Sequence, residues 1–251
     1  MKLYHGTSEV VSDAIKVGGI HPRGLLDVQA TNWKHTVESN PDCVYLTDAY
    51  AGYFAFNAAK DGEKLLLIEV DTDYLDESAL MPDEDFIAQA LQAQQGREVH
   101  PNLNALTLEI RGKLKDYQRC WSASLEHMGT CCYRDVVPVS AITRMVTFDS
   151  RQNPGMCFML MDPSISIANY RFCADKYRAL TAWLMGNTVD TKRVLMLNGL
   201  PEEAFTDANG FLAKSVQATE QLLDRNRGVT VIYDREEVCD DSKRGISQVG
   251  G

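Results

Sequence analysis

A short apolar strand at the start of the chain leads directly into a histidine and a glycine, and this segment constrains the fold more than any other. His5 supplies a side-chain hydrogen-bond donor, and Gly6, which has no side chain, leaves the neighbouring backbone accessible. A second short strand is predicted over residues 42–48, a helix over 49–60 and a buried strand over 64–71. The short strands with helices between them match a mixed α+β domain.

The rest of this domain is predicted from the same periodicities. A short helix is expected over residues 12–17, with Gly18 and Gly19 as its stop. Residues 103–110 and 113–117 fit either a helix or a strand. The remaining predicted elements are a helix over 83–95 and two strands over 131–137 and 142–148, which place the end of the domain near Asp149.

The composition shifts after this point, so we divide the chain into a domain over residues 1–150 and a C-terminal region over 151–251. Residues 153–155 read as a linker, and a long helix is predicted over 167–185. Further predicted elements are helices over 201–205 and 211–225, a strand over 228–233 and a polar tail over 240–251. The C-terminal region is therefore expected to be mainly helical.

Charge and cysteine content argue against several classes of function. The net charge of −10 opposes a broad nucleic-acid footprint, because phosphate neutralisation needs clustered Lys and Arg; a local basic groove stays open. The acidity is concentrated in residues 71–85, which are expected to form a solvated surface segment. An odd number of cysteines, including the neighbours Cys131 and Cys132, indicates free thiols in a reducing compartment.

Metal and membrane sites are not expected either. The chain has no CxxC pair, and its histidines do not have HExxH or similar spacing, so no structural metal is predicted. No run approaches the roughly 18 to 20 apolar residues of a membrane span, and the N-terminus lacks the pattern of a signal peptide. These observations predict a soluble, cytoplasmic protein that does not bind membranes.

A long irregular connection is predicted over residues 21–42. Connections longer than about 12 to 15 residues are uncommon unless they are functional or disordered. Two interpretations stay equally open, a loop that lies over a ligand site and a disordered surface loop.

Three residues in chain order carry a family resemblance. His5 follows the first strand, Tyr45 lies in the second, and Glu126 precedes the segment that closes with residues 136–142. In this order they resemble the triad of the ADP-ribosyltransferase superfamily, in its His-Tyr-Glu branch, which is diphtheria-toxin-like and poly(ADP-ribose)-polymerase-like. The resemblance covers residues 1–150 and implies a split β-sheet core with helices, and NAD⁺ as the substrate.

The resemblance implies roles that suit the chemistry of the bond between nicotinamide and ribose. His5 would hydrogen-bond a ribose hydroxyl, and the backbone of Gly6 would bind the nicotinamide amide. Tyr45 and Tyr53 would sandwich the nicotinamide ring, with Phe54 as the alternative to Tyr53.

The same resemblance implies a carboxylate and contacts further along NAD⁺. Glu126 would hydrogen-bond the ribose 2′-hydroxyl, stabilise positive charge at the anomeric carbon and help to deprotonate the incoming nucleophile. Thr7 or Ser8 would lie near the adenosine side, and Arg23 would contact the pyrophosphate.

Two other carboxylates compete with Glu126, because Glu109 and Glu69 also lie in strand-like contexts. Glu126 is preferred because the segment after it resembles the closing part of the superfamily domain. Ser124 stands two positions before it, where a Gln or Glu would direct transfer to arginine, and no Ser-Thr-Ser motif is present. Arginine is therefore a weaker candidate for the acceptor, and polymer formation is not expected.

The resemblance implies a mono-ADP-ribosyltransferase that modifies RNA, DNA or protein, as a bacterial or phage toxin or effector. An antitoxin or inhibitor protein would be a further partner, as in antiphage toxin-antitoxin systems. Two alternatives stay open. One is an NAD⁺-dependent RNA 2′-phosphotransferase, for which only Arg23 and Lys34 supply nearby basic groups. The other is an inactive binding module whose C-terminal region docks a partner.

Overall fold

The computed structural model describes residues 1–26, 37–95, 103–152, 170–186 and 228–235 of the chain. Their strands are β1 (Lys2–Ser8), β2 (Val44–Thr47), β3 (Leu65–Asp71), β4 (Leu80–Pro82), β5 (Thr130–Tyr133), β6 (Ile142–Phe148) and β7 (Val229–Asp234). All pair antiparallel in one sheet, in the order β4-β5-β2-β1-β3-β6-β7. The helices are α1 (Ser12–Gly18), α2 (Ala51–Ala58), α3 (Glu84–Gln95), α4 (Leu103–Tyr117), α5 (Trp121–Met128) and α6 (Tyr170–Leu184). The predicted α+β class is confirmed.

Strand β3, next to the middle strand β1, explains how the sheet holds two cores. Leu65 and Leu67 pack on one face with residues of α2 and α6, whereas Leu66 and Ile68 pack on the other face with residues of β2 and β5. All four side chains are buried, as expected for a continuous apolar run with helices or loops on both sides. β1 lies beside β3 and shares both cores, so the N-terminal segment is at the centre of the fold.

The ambiguous segments 103–110 and 113–117 form the single helix α4. Leu106, Ile110 and Leu114 recur at four-residue spacing, and all three are buried against α3. Glu109 therefore lies on a helix, and the prediction of a strand-like context for it is wrong. Glu69 does lie in a strand, β3.

Two elements beyond residue 150 belong to the same body as the first 150 residues. β7 extends the sheet beside β6, and the α6 residues Tyr177 and Trp183 share a core with Tyr50. The helix predicted over 167–185 and the strand predicted over 228–233 are thus confirmed. The predicted linker at 153–155, the helices at 201–205 and 211–225 and the tail at 240–251 lie outside the described residues, and the boundary at 150 stays a prediction.

None of the helices in the described ranges is long and apolar enough to cross a membrane.

Candidate active site

The candidate site lies where β1 and β2 separate. β1 pairs with β3 along its whole length, but its recorded pairing with β2 is the single pair Tyr4 and Thr47. The His5 side chain lies in the gap, with its imidazole Nδ1 2.9 Å from the carbonyl oxygen of Tyr45. A side chain thus satisfies a backbone acceptor of β2 just beyond the last paired residues.

This contact sets the protonation of His5. A carbonyl oxygen only accepts hydrogen bonds, so Nδ1 carries the proton and donates it to Tyr45. Burial lowers the pKa of His5, with the Tyr45 carbonyl acting in the opposite direction. The ring is therefore neutral near pH 7, and its Nε2 atom is an acceptor. Because the bond to Tyr45 is the one that His5 makes within the described part of the chain, Nε2 is suited to receive a hydroxyl from a ligand.

Gly6 is required by the packing of α2. A Cβ atom built on Gly6 would overlap the carbonyl oxygen of Ala51 and lie 2.7 Å from the amide nitrogen of Ala55. The close approach that is expected of a ligand at this glycine is thus already made by the backbone of α2. Contact between the Gly6 backbone and a nicotinamide amide stays a prediction.

The two hydroxyl residues after Gly6 differ in their surroundings. The Ser8 hydroxyl donates to Glu63 Oε2 at 2.6 Å and accepts from the Val10 amide at 3.5 Å, so it holds the turn that follows β1. Thr7 is half-buried and lies on the same face of β1 as His5, because alternate residues of a strand share a face. Of these two residues, Thr7 is the better placed beside His5.

The hydroxyl of Tyr45 belongs to a buried hydrogen-bond network that the sequence analysis missed. It donates to Glu84 Oε2 at 2.6 Å and accepts from the backbone amide of Asn40, also at 2.6 Å. The Asn40 amide lies 3.1 Å from Glu84 Oε1 as well. Glu84 is 3% exposed and Asn40 6% exposed, so these groups have little access to water. The network joins β2, the first turn of α3 and the end of the 21–42 connection.

Glu84 stands between two other acids at the start of α3. Burial, followed by the charge of Asp83, raises the pKa of Glu84 to about 7. The pKa of Asp83 is raised by burial, and burial and the two neighbouring carboxyls raise that of Asp85 to about 8. Burial and the carboxyl of Glu84 raise the pKa of Tyr45 well above its usual range.

The acidic segment 71–85 therefore contains both exposed and buried acids. Asp73, Asp76 and Glu77 are exposed, as predicted for solvated surface, but Glu84 is buried and its two neighbours are partly covered. The sequence does contain a signal for this change, because Asp83 occupies the N-cap position before the helical apolar pattern of Ile87 and Leu91 and accepts from the Asp85 amide at 2.9 Å.

Glu126, the carboxylate that the resemblance selects, lies on the exposed face of α5. Its neighbours Ser124 and Leu125 are buried, and the Ser124 hydroxyl binds the carbonyl oxygen of Thr130 and the amide of Asp83. In the described part of the chain, no hydrogen bond joins Glu126 to His5 or Tyr45. The residue paired with Tyr45 on β5 is Cys132.

The two competing carboxylates have other partners. Glu109 forms an ion pair with Lys113 at 3.3 Å along α4. Glu69 accepts from the Thr143 hydroxyl at 2.6 Å and lies 3.5 Å from the ammonium of Lys2. These contacts support the sheet and a helix surface rather than a constellation with His5.

The two tyrosines of the predicted sandwich pack in different clusters of the described residues, and their stacking on a nicotinamide ring stays a prediction. Tyr53 packs with the α2 and α6 cluster, where its ring centroid lies 6.0 Å from that of Tyr177 and 5.8 Å from that of Phe54. Tyr45 packs instead against the cluster formed by α3, α4 and β5. The aromatic residues of α2 are thus mainly core residues.

Arg23 holds the base of the long connection. Its guanidinium donates to the carbonyl oxygen of Ser39 at 2.7 Å, and the next residue, Gly24, donates its amide to the carbonyl of Pro41 at 2.8 Å. One nitrogen of the Arg23 guanidinium is therefore engaged by Ser39, and both the pyrophosphate contact and the 2′-phosphotransferase alternative stay predictions. The Asn40 end of this connection contacts Tyr45, whereas residues 27–36, including Lys34, lie outside the described residues.

Within the same ranges, no group of three or more His, Cys, Asp and Glu side chains could hold a metal ion. Comparison with protein-family models and with curated proteins finds no match to this chain.

Proposed function

We propose that this chain is an NAD⁺-dependent mono-ADP-ribosyltransferase that transfers ADP-ribose to a macromolecule. The observation that carries the proposal is the hydrogen bond from His5 Nδ1 to the carbonyl oxygen of Tyr45, made where β1 and β2 separate. It joins two of the three residues that resemble the superfamily triad. We further propose that this separation corresponds to the split of an ADP-ribosyltransferase-like sheet.

The chemistry of His5 supports this reading. The neutral ring presents Nε2 as an acceptor, and a ribose hydroxyl is a suitable donor. An acceptor in this position would orient the ribose while the bond from its anomeric carbon to nicotinamide breaks. The Gly6 backbone and the ring of Tyr45 would hold the nicotinamide end, and Thr7 would lie toward the adenosine.

The carboxylate assignment follows from the resemblance, which points to Glu126. Its role would be to bind the 2′-hydroxyl and to stabilise positive charge at the anomeric carbon. Glu126 is exposed on α5 whereas Glu84 contacts Tyr45, so Glu126→Ala tests the carboxylate assignment and Glu84→Gln is compared with it.

The acceptor is a protein or a nucleic acid. The net charge of −10 favours protein, whereas Ser124, in place of an acceptor-directing Gln or Glu, favours nucleic acid. Action as a bacterial or phage toxin with a cognate antitoxin belongs to the same proposal.

The test incubates purified protein with NAD⁺ labelled in its adenylate part and with separate pools of cellular protein, RNA and DNA. We expect label in one pool together with release of nicotinamide. Glu126→Ala should abolish transfer and leave NAD⁺ binding largely intact, whereas Tyr45→Ala should weaken binding.

His5→Asn is the sharper control, because its amide can still donate to the Tyr45 carbonyl but cannot present an acceptor in place of Nε2. We expect it to fold and to transfer about a hundredfold more slowly, as when one hydrogen-bonding group of a reaction centre is lost. Wild-type protein that neither releases nicotinamide nor labels any pool would instead identify an inactive binding module.

A further inference from the structure

We infer that Glu84 is a positioning residue of the proposed NAD⁺ site, acting through the hydroxyl of Tyr45. The inference rests on the proposed function and adds a residue that the triad resemblance does not contain. Glu84 would fix the ring of Tyr45, and with it the nicotinamide end of the site, by a hydrogen bond from the side opposite to His5.

The arrangement of donors and acceptors supports this role. Two donors, the Tyr45 hydroxyl at 2.6 Å and the Asn40 amide at 3.1 Å, meet the two oxygens of one carboxyl group. The Asn40 amide also donates to the Tyr45 hydroxyl, which closes a three-membered ring of contacts. A carboxyl group suits this position because each of its two oxygens faces one of these donors.

Tyr45 joins this ring of contacts to His5. Its carbonyl oxygen accepts from the imidazole, and its hydroxyl donates to the carboxyl group of Glu84. Two ends of one residue are therefore held by two different elements, β1 and α3. A change at the hydroxyl alters where the Tyr45 ring lies and reaches the ligand site without any contact between Glu84 and a substrate.

The contact with Asn40 extends this role to the long connection. The base of the connection is closed by Arg23 and Ser39, and its end is held by Asn40. Asn40 is 6% exposed, so its amide depends on the Tyr45 hydroxyl and the Glu84 carboxyl group for acceptors. The carboxyl group of Glu84 thus ties Tyr45 to Asn40, in the described end of the connection over residues 37–42.

The experiment compares Glu84→Gln, Tyr45→Phe and the double variant with Glu77→Gln, an exposed acid of the same segment. A glutamine offers one acceptor and one donor, so it disturbs the ring of contacts, while phenylalanine keeps the aromatic face and loses the hydroxyl. We expect each single variant to raise KM for NAD⁺ about tenfold, the loss expected when about one buried hydrogen bond is removed, with a smaller change in kcat. The KM of the double variant should be no higher than that of the more affected single variant, because both substitutions remove the same hydrogen bond.

Hydrogen exchange at the Asn40 amide gives a readout that does not depend on NAD⁺. We expect faster exchange in Glu84→Gln and unchanged exchange in Glu77→Gln. Tyr45→Phe covers the case in which Glu84→Gln does not fold. Independent, additive effects on KM, or unchanged KM in folded variants, would overturn the inference while leaving the transferase standing. Absence of NAD⁺ turnover in the wild type would overturn the proposed function and the positioning role together, even where exchange at Asn40 responds.

Discussion

The central strand β1 is held differently on its two sides. Toward β3 it pairs along its whole length, and the side chains around that pair, including Leu3 and Leu67, are fully buried and apolar. Toward β2 it has one recorded pair, followed by the contact of His5 with the Tyr45 carbonyl and then by the network of Tyr45, Asn40 and Glu84.

The two sides therefore respond to different perturbations. Apolar packing depends on shape and volume and is insensitive to pH, whereas buried polar contacts depend on partners and on protonation. We expect the β3 side to set the stability of the fold and the β2 side to set the geometry of the site. The following substitutions test that division.

Gly6→Ala should have the largest effect on stability. The added methyl group would overlap the Ala51 carbonyl, which is backbone and cannot move without displacing α2 from the sheet. We expect the free energy of unfolding, measured in urea, to fall by at least about 3 kcal/mol. Gly112→Ala is the matched control, because a Cβ there meets nothing within 4 Å in the middle of α4, and it should stabilise the protein by about 0.5–1 kcal/mol. Equal effects at the two glycines would contradict the close packing of α2.

Glu84→Gln should change how stability depends on pH. The pKa of Glu84 is raised from 4.5 to about 7 in the folded protein, so the folded state retains a proton that the unfolded chain releases. The stabilisation from this bound proton is fully present below the pKa that Glu84 has in the unfolded chain. It is lost as the pH rises through the pKa that Glu84 has in the folded protein. The resulting decrease, on the order of 3 kcal/mol, should be missing from the variant.

The measurement is urea unfolding of both proteins at several pH values across this window. In the variant, stability still depends on pH through Asp85, because the pKa of Asp85 is raised to about 8. The informative quantity is therefore the difference between the two curves of unfolding free energy against pH. Parallel curves for wild type and Glu84→Gln would show that this carboxyl group does not titrate in the folded protein.

Arg178→Gln should have the smallest effect, because it removes an ion pair at the apolar side. The Arg178 guanidinium lies 2.9 Å from Asp48 Oδ2, and both side chains are partly exposed. Such pairs contribute up to about 1 kcal/mol and are screened by salt. Thermal unfolding at low and high salt should therefore show a small difference that salt reduces. A loss as large as that in Gly6→Ala would mean that charge, rather than packing, holds α6 to α2.

The outcome for α4 shows where sequence patterns reach their limit. Leu106, Leu108 and Ile110 alternate as in a strand, while Leu106, Ile110 and Leu114 repeat as in a helix. Leu108 is 70% exposed, so the helical repeat is the one that is buried. Nothing local decides between the two patterns. The decision comes from α3, which covers the helical stripe.

The candidate site was also predictable only in part, because local sequence patterns do not specify which elements pack together. His5 and Tyr45 were selected from short local motifs, and the structure brings them together through a side-chain contact with a backbone group. The sequence does not pair Glu84 with Tyr45, because that contact depends on how α3 packs against the Tyr45 side chain, which no local motif encodes. For Gly6, the principle of close approach was correct, but a helix supplies the approaching backbone.

The position of β7 affects how the chain acquires its fold during synthesis. β7 covers the edge of β6, but it follows β6 by about 80 residues, which takes a ribosome roughly 4–16 s. During that interval the outer edge of β6 has no β7 to pair with, and an open strand edge is a template for aggregation. A nascent chain of this protein therefore has β1 and β2, with His5 and Tyr45, synthesised well before its sheet is complete, and that interval is when a chaperone would be of most use to it.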